Sequence, residues 1–248
     1  MHEVAIWGIL GIASFGAGML NALAGGGTFL TLPALLFVGL PPVSANTTST
    51  AAILPGYASA AFGFRNTLTL ISRKRLVTLI AATIVGSLIG ANLLLETSNE
   101  VFRTLAPFLI LFASGLFLLG PKLRQWVDKR GSSNAVGLVG MGVLSSYGGY
   151  FNGGLGIALI SVLSLSGSKD LNEANGLKSL LSVVITAVSV SVYAQSGSIE
   201  WPTALGMMLF CAAGGYSGAR VALNLPTNLL RHFIVVLGLL MSAALFLT

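Results

Sequence analysis

Apolar residues run along this chain in continuous blocks. They fall at about 5–24, 28–39, 45–64, 76–95 and 101–120. After the polar stretch "PKLRQWVDKRGSSN", from Pro121 to Asn134, they return at about 135–152, 157–166, 173–195, 202–223 and 228–247. A block of about 20 apolar residues is the length a helix needs to cross a hydrocarbon core. A membrane β-barrel would show shorter segments with alternating polarity. The pattern predicts an all-α, polytopic integral membrane protein. Each set of five blocks holds one short member, 28–39 or 157–166, which crosses only if its neighbours help. The expected organisation is a first transmembrane repeat over 1–120, a cytoplasmic linker over 121–134 and a second repeat over 135–248.

The same order of blocks twice suggests duplication. Ala45-Asn46 in "VSANTTST" falls on Ala174-Asn175 in "NEANGLKS", an offset of 129 residues. At that offset Gly25 and Gly27 fall on Gly154 and Gly156. "GSLIGA" at 86–91 resembles "GGYSGA" at 214–219 at an offset of 128. Internal similarity on this scale is a transporter signature.

Charge orients the halves. If the short blocks cross, each half has an odd number of crossings and the second half is inverted. Eleven of the 13 basic residues, in 65–75, 121–134, at Lys169 and in 220–231, then share one side, and the other keeps only Arg103. If the short blocks do not cross, Lys169, Arg220 and Arg231 change sides. The positive-inside rule favours two inverted repeats of about five segments each, with both termini outward.

Composition narrows the class. The 248 residues are 54% hydrophobic and 8% charged, with mean hydropathy +0.89. Soluble domains carry about 25% charged residues, so this chain has too few to cover a water-facing surface. It is therefore expected to have a lipid bilayer as a partner. The net charge of +6 is no nucleic-acid signal, because the basic residues sit in short loops. Oligomeric state is not legible. The lone Cys211 excludes an internal disulfide and reads as a small hydrophobe. Ala22-Leu23-Ala24 resembles a signal-peptide cleavage site, yet His2 and Glu3 stand where Lys or Arg would. The following glycines also have a later counterpart, so residues 1–27 are expected to stay in the mature fold.

Candidate chemistry begins at "NALAGGGTFLTLP", Asn21 to Pro33. Three consecutive glycines break a helix, each costing about 1 kcal/mol against alanine. Such a break is tolerated in a membrane only where protein or a water-filled cavity satisfies the freed backbone. The helix that follows presents free N–H groups and a positive dipole end, a natural anion site. Gly25, Gly26 and Gly27 precede a helix starting near Thr28. Asn152, Gly153, Gly154 and Gly156 precede one starting near Ile157. The competing reading is close helix packing, which suits Gly86 and Gly90.

Polar helix starts add to this. Asn46, Thr47 and Thr50 open one apolar block, and Asn175, Lys178 and Ser179 open its counterpart, sharing faces at i, i+3 and i, i+4. Amides, hydroxyls and one ammonium suit an oxyanion. Interhelical hydrogen bonding suits the hydroxyls equally. Lys178 is the one basic residue clearly inside an apolar block, and intramembrane charges are functional candidates by default. Its alternatives are snorkelling or pairing with Glu173 or Asp170. No Asp or Glu lies deep in a block, no metal-ligand cluster appears, and no Walker A or G-x-S-x-G motif is present. No cofactor, metal or enzymatic activity is expected. An anion channel and an intramembrane enzyme are the rival classes.

Duplicated halves, "NALAGGGTFLTLPAL" followed by "SANTTST", and "NGGLG" followed by "EANGLK" resemble the sulfite exporter TauE/SafE family over nearly the whole chain. The resemblance implies a multi-pass transporter of the bacterial inner membrane, acting on sulfite, organosulfonates or another small anion, often in export. It carries over onto Asn21, Gly25, Gly26, Gly27, Asn46 and Thr47, and onto Asn152, Gly153, Gly154, Gly156, Asn175 and Lys178. The second half departs at Lys178, which stands opposite Ser49 in the repeat alignment.

Overall fold

A computed structural model describes residues 3–23, 25–69, 71–130, 134–165, 171–221 and 227–247. Among them are eleven helices and no strand: α1 (Glu3–Leu23), α2 (Thr28–Phe37), α3 (Pro42–Gly63), α4 (Arg65–Leu68), α5 (Arg73–Glu96), α6 (Asn99–Arg130), α7 (Asn134–Tyr150), α8 (Leu155–Leu165), α9 (Leu171–Ser196), α10 (Trp201–Val221) and α11 (Thr227–Leu247). Helix is the one open-chain arrangement that satisfies its own backbone in lipid, so glycine-rich runs such as α10 form it despite poor propensity. Three stretches among the described residues, Glu3–Ala22, Arg73–Glu96 and Glu173–Ser196, are long and apolar enough to cross a membrane. Large apolar side chains stand exposed on the outer helices, Val4, Ile12, Val139 and Leu209 among them.

The short helices match the short blocks. With 10 and 11 residues, α2 and α8 reach only about 15–17 Å, half of a hydrocarbon core. α2 turns back beside α1, so that a Cβ on Gly16 would sit 2.9 Å from Leu30. α3 then starts at Pro42, where a missing N–H costs nothing, after an extended Pro41. One boundary differs from the sequence reading. The stretch 121–134, expected as a linker, begins as a continuation of α6 to Arg130. That 32-residue helix is about 48 Å long, more than the hydrocarbon core requires.

The halves interleave. α1 packs most extensively on α10, and α5 on α7. Trp7 lies against Gly206, Phe15 against Gly214 and Met19 against Gly218, so α1 and α10 run parallel. Gly86 faces Gly142 and Ser145, and Gly90 faces Ser146 and Tyr150, so α5 and α7 also run parallel. α3 and α9 cross at the centre in opposite directions. Thr47 and Thr48, at the start of α3, bond Ser198 and Glu200 just past the end of α9. α6 and α11 are likewise antiparallel, pairing Ser242 with Pro107 and Gly238 with Ser114. Exchanging the halves carries α1·α10 onto α7·α5, and returns α3·α9 and α6·α11 to themselves. An Arg75–Glu173 ion pair of 2.6 Å joins the starts of α5 and α9.

Glycine sets the closeness of the parallel pairs. A Cβ on Gly90 would collide with the Ser146 carbonyl, and one on Gly214 with that of Phe15, whereas Gly8 and Gly115 have nothing within 4 Å. Gly90→Ala and Gly214→Ala are therefore expected to cost about 1–3 kcal/mol each by overpacking. Gly8→Ala and Gly115→Ala are expected to leave stability unchanged or slightly raised. Melting temperatures in detergent check this: equal values for all four variants would remove glycine packing as the reason for the close approach.

Candidate functional site

Both glycine clusters interrupt helices, and the interruptions meet. α1 closes with the Gly25 N–H donating to the Leu20 carbonyl at 3.0 Å. Gly25 then takes a positive φ of 78°, and Gly154, its repeat counterpart, one of 69°. A Cβ on Gly25 would lie 2.8 Å from Cα of Gly156, and one on Gly154 would lie 3.0 Å from Cβ of Ala113 on α6. One break thus rests on the other and on the long helix behind it. Asn152 also has positive φ, 65°, a conformation Asn tolerates better than most residues.

Side chains supply much of what the broken backbone lacks. Asn21 Oδ1 accepts the Gly27 N–H at 2.7 Å. Thr31 donates to the Gly27 carbonyl and shares a 2.6 Å hydroxyl contact with Ser49. At the end of α7, Asn46 Nδ2 donates to the Tyr150 carbonyl at 2.8 Å, Tyr147 donates to that of Gly153 at 2.7 Å, and Tyr193 donates to that of Gly149. Tyr57 donates to Asn152 Oδ1, whose Nδ2 donates to Thr186. These satisfy carbonyls that a helix end would otherwise strand in an apolar interior.

Three buried atoms here remain without a partner: Asn21 Nδ2, Thr28 Oγ1 and Asn46 Oδ1. The first two are donors, or can be, as an anion requires. The third is an acceptor, so Asn46, expected as an anion ligand, serves as a clasp on α7.

The remaining expected residues divide. Asn21, Gly25, Gly26, Gly27 and Thr28 gather with Asn152, Gly153, Gly154 and Gly156 at the junction, all buried. Thr47 does not; it bonds the α9–α10 turn through Ser198. Thr50 and Ser179 each donate to their own helix, to the carbonyls of Asn46 and Asn175 at 2.9 Å, as in interhelical or local bonding without a ligand. Asn175 is half-buried. Lys178 is buried, with 4% of its surface exposed, which discounts snorkelling. Glu173 holds Arg75, and Asp170 lies outside the described residues. Among the described residues Lys178 forms no ion pair. It stands eight residues before Thr186, about 12 Å along α9, and so lies off the junction. No described His, Cys, Asp and Glu form a group that could hold a metal.

Known proteins resemble the chain along nearly its whole length. The sequence model of one family, described as "Sulfite exporter TauE/SafE", matches residues 10–245. The chain is 30% identical over 248 residues to the "Probable membrane transporter protein YfcA" of Escherichia coli strain K12, covering 99% of this chain and 91% of that protein. It is 30% identical over 243 residues to a "Probable membrane transporter protein" of Haemophilus influenzae, covering 95% and 92%. It is 25% identical over 234 residues to the "Probable membrane transporter protein ORF9" of a Sinorhizobium species, covering 93% and 88%. No solved structure matches the chain.

Two glycines separate backbone strain from contact between the breaks. Gly25 and Gly197 both have positive φ, 78° and 70°, but a Cβ on Gly197 would meet nothing within 4 Å, while one on Gly25 would meet Gly156. Gly197→Ala is expected to lose only the left-handed penalty of about 1–2 kcal/mol. Gly25→Ala is expected to lose more and to abolish transport per folded molecule. Equal stability and equal transport for the two variants would mean that the breaks do not bear on each other.

Proposed function

The chain belongs to the TauE/SafE family of membrane transporters, and from that premise we propose that it carries a small sulfur oxyanion such as sulfite or an organosulfonate across the membrane. The anion passes the junction of the two helix breaks. The observation that carries this reading is the contact of Gly25 with Gly156 beside buried donor atoms, Asn21 Nδ2 and Thr28 Oγ1, that have no acceptor. Broken helices in matching positions of two repeats are where transporters bind substrate.

The proposed architecture is two inverted repeats, 1–120 and 135–248. The antiparallel crossing of α3 with α9, its repeat counterpart, supports inversion, as does that of α6 with α11. A two-fold axis along the helices would leave counterparts parallel. Alternating access then exposes the junction first to one side and then to the other. The tight meeting of the breaks favours a carrier over an open channel. The proposed direction is outward across a bacterial inner membrane, where an inside-negative potential drives an anion out by about 2.3 kcal/mol per charge per 100 mV.

The test is sulfite flux in proteoliposomes, with and without an imposed potential. Saturable flux that accelerates when the potential drives the anion outward is expected. Its absence for sulfite, sulfoacetate, thiosulfate and sulfate alike would sink the substrate class, and unsaturable flux would make the protein a channel. Lys178→Gln should cut flux steeply while the protein stays in the membrane, and Lys178→Arg should keep part of it. A wild-type rate in the Gln variant would return Lys178 to a packing role.

Topology gives an independent check. With 11 of 13 basic residues on one side of the inverted arrangement, a C-terminal reporter is expected to read periplasmic and one in the 121–134 loop cytoplasmic. A cytoplasmic C-terminus would rule the inversion out.

A further inference from the structure

The repeat alignment uncovers a difference that neither half displays alone. Among α1, α3 and α10, Ala17, Ile53, Tyr57 and Cys211 form one buried cluster. Their counterparts, at offsets of 129 for the first three and 128 for Cys211, are Ser146, Ser182, Thr186 and Thr83. Every member becomes a hydroxyl residue. Helices α5, α7 and α9 pack on one another, so the repeat relation puts the second set among them. Ser145 adjoins it, since a Cβ on Gly86, one turn beyond Thr83, would lie 2.8 Å from Cβ of Ser145. Lys178 precedes Ser182 by four residues and shares its helix face.

Ser146 and Thr186 have partners, donating to the Gly142 carbonyl and accepting from Asn152 respectively. Thr83, Ser145 and Ser182 are fully buried with no hydrogen-bond partner. Around them Leu79, Met141, Leu177 and Leu181 belong to one apolar cluster. Three O–H donors and a buried ammonium therefore face an apolar interior with no described carboxylate among them. The one described carboxylate near the start of α9, Glu173, holds Arg75. Buried polar groups are almost always hydrogen-bonded, and what these donors share is the need of an acceptor.

We propose that Thr83, Ser145, Ser182 and Lys178 form an anion-binding site among α5, α7 and α9, at a position where the repeat-related bundle of α1, α3 and α10 holds packed apolar side chains. The site takes a compact oxyanion with three or more oxygens, its one charge balanced by Lys178 and its oxygens by the hydroxyls. One anion is bound per chain, to one side of the axis that relates the repeats. This rests on the transporter reading above and assigns the substrate a resting place along α9, off the break junction.

The experiment is sulfite titration of the purified full chain in detergent, under oxygen-free conditions, read by calorimetry and by melting temperature. The variants are the triple Thr83→Val, Ser145→Ala, Ser182→Ala and each single change. The triple variant is expected to keep or raise its melting temperature without sulfite, because unpartnered buried hydroxyls oppose folding, and to weaken sulfite binding at least tenfold. The singles should each weaken it by a smaller factor at unchanged stability. Wild-type affinity in the triple variant overturns the proposal, as does a fall in melting temperature in the singles with affinity retained. If wild-type protein carries sulfite and Gly25→Ala does not, while the triple variant is unaffected, only this site fails. If wild-type protein neither binds nor carries sulfite, sulfate or thiosulfate, the transporter reading fails and takes this one with it.

Discussion

A helix that ends within an apolar slab leaves backbone amides and carbonyls that water cannot reach, and each must find a partner or stay unstable by several kcal/mol. The bundle is organised around that requirement at two places. At the first break the Asn21 amide and the Thr31 hydroxyl hold Gly27, with the Ser49 hydroxyl against Thr31. At the second, Asn46, Tyr147 and Tyr193 hold the carbonyls of Tyr150, Gly153 and Gly149. Asn46 comes from the other half of the chain, as does Tyr57 on Asn152, so the first half helps to hold the second half's break. The polarity of α3 follows from this work. It is the helix of "SANTTST", and its row of buried hydroxyls and amides is spent largely on turns and breaks elsewhere.

The close pairs frame these contacts. α1 with α10 and α5 with α7 are each built from one helix of either repeat, and glycine brings their backbones together. Where helices share no hydrophobic drive to associate, small residues allow the van der Waals contact that holds them. The closely packed units are therefore mixed bundles. The sequence halves are not those units. The two bundles meet along α3 and α9, where Tyr57 and Thr186 reach the second break from either side through Asn152.

Much of this architecture was legible in the sequence. The ten blocks correspond to ten helices, because lipid imposes a length and leaves one way to satisfy the backbone. The offset of 129 found both breaks, and Gly25 and Gly154 share their left-handed conformation. The individual ligands were less legible. Asn46, Thr47 and Thr50 lie in one stretch, yet one clasps α7, one clasps a turn and one bonds its own helix. Spacing places a side chain on a face but does not say which backbone group lies opposite. Nothing in the sequence marks Thr83, Ser145 and Ser182, because isolated hydroxyls in apolar helices ordinarily bond a carbonyl one turn back. Only their lack of such a bond sets them apart, and that is a property of three-dimensional structure.

The interleaving of α1 with α10 also bears on how the protein is made. A ribosome finishes α1 near residue 23 and does not finish α10 until residue 221. At about 5–20 residues per second, close to 200 residues of synthesis take roughly 10–40 s. Throughout that interval the glycine-lined face of α1 has its neighbour still unmade, whereas α5 waits only for α7. Until then α1 has only α2 and α3 to rest on among the helices it packs against, and the last steps of assembly belong to the carboxyl-terminal third of the chain.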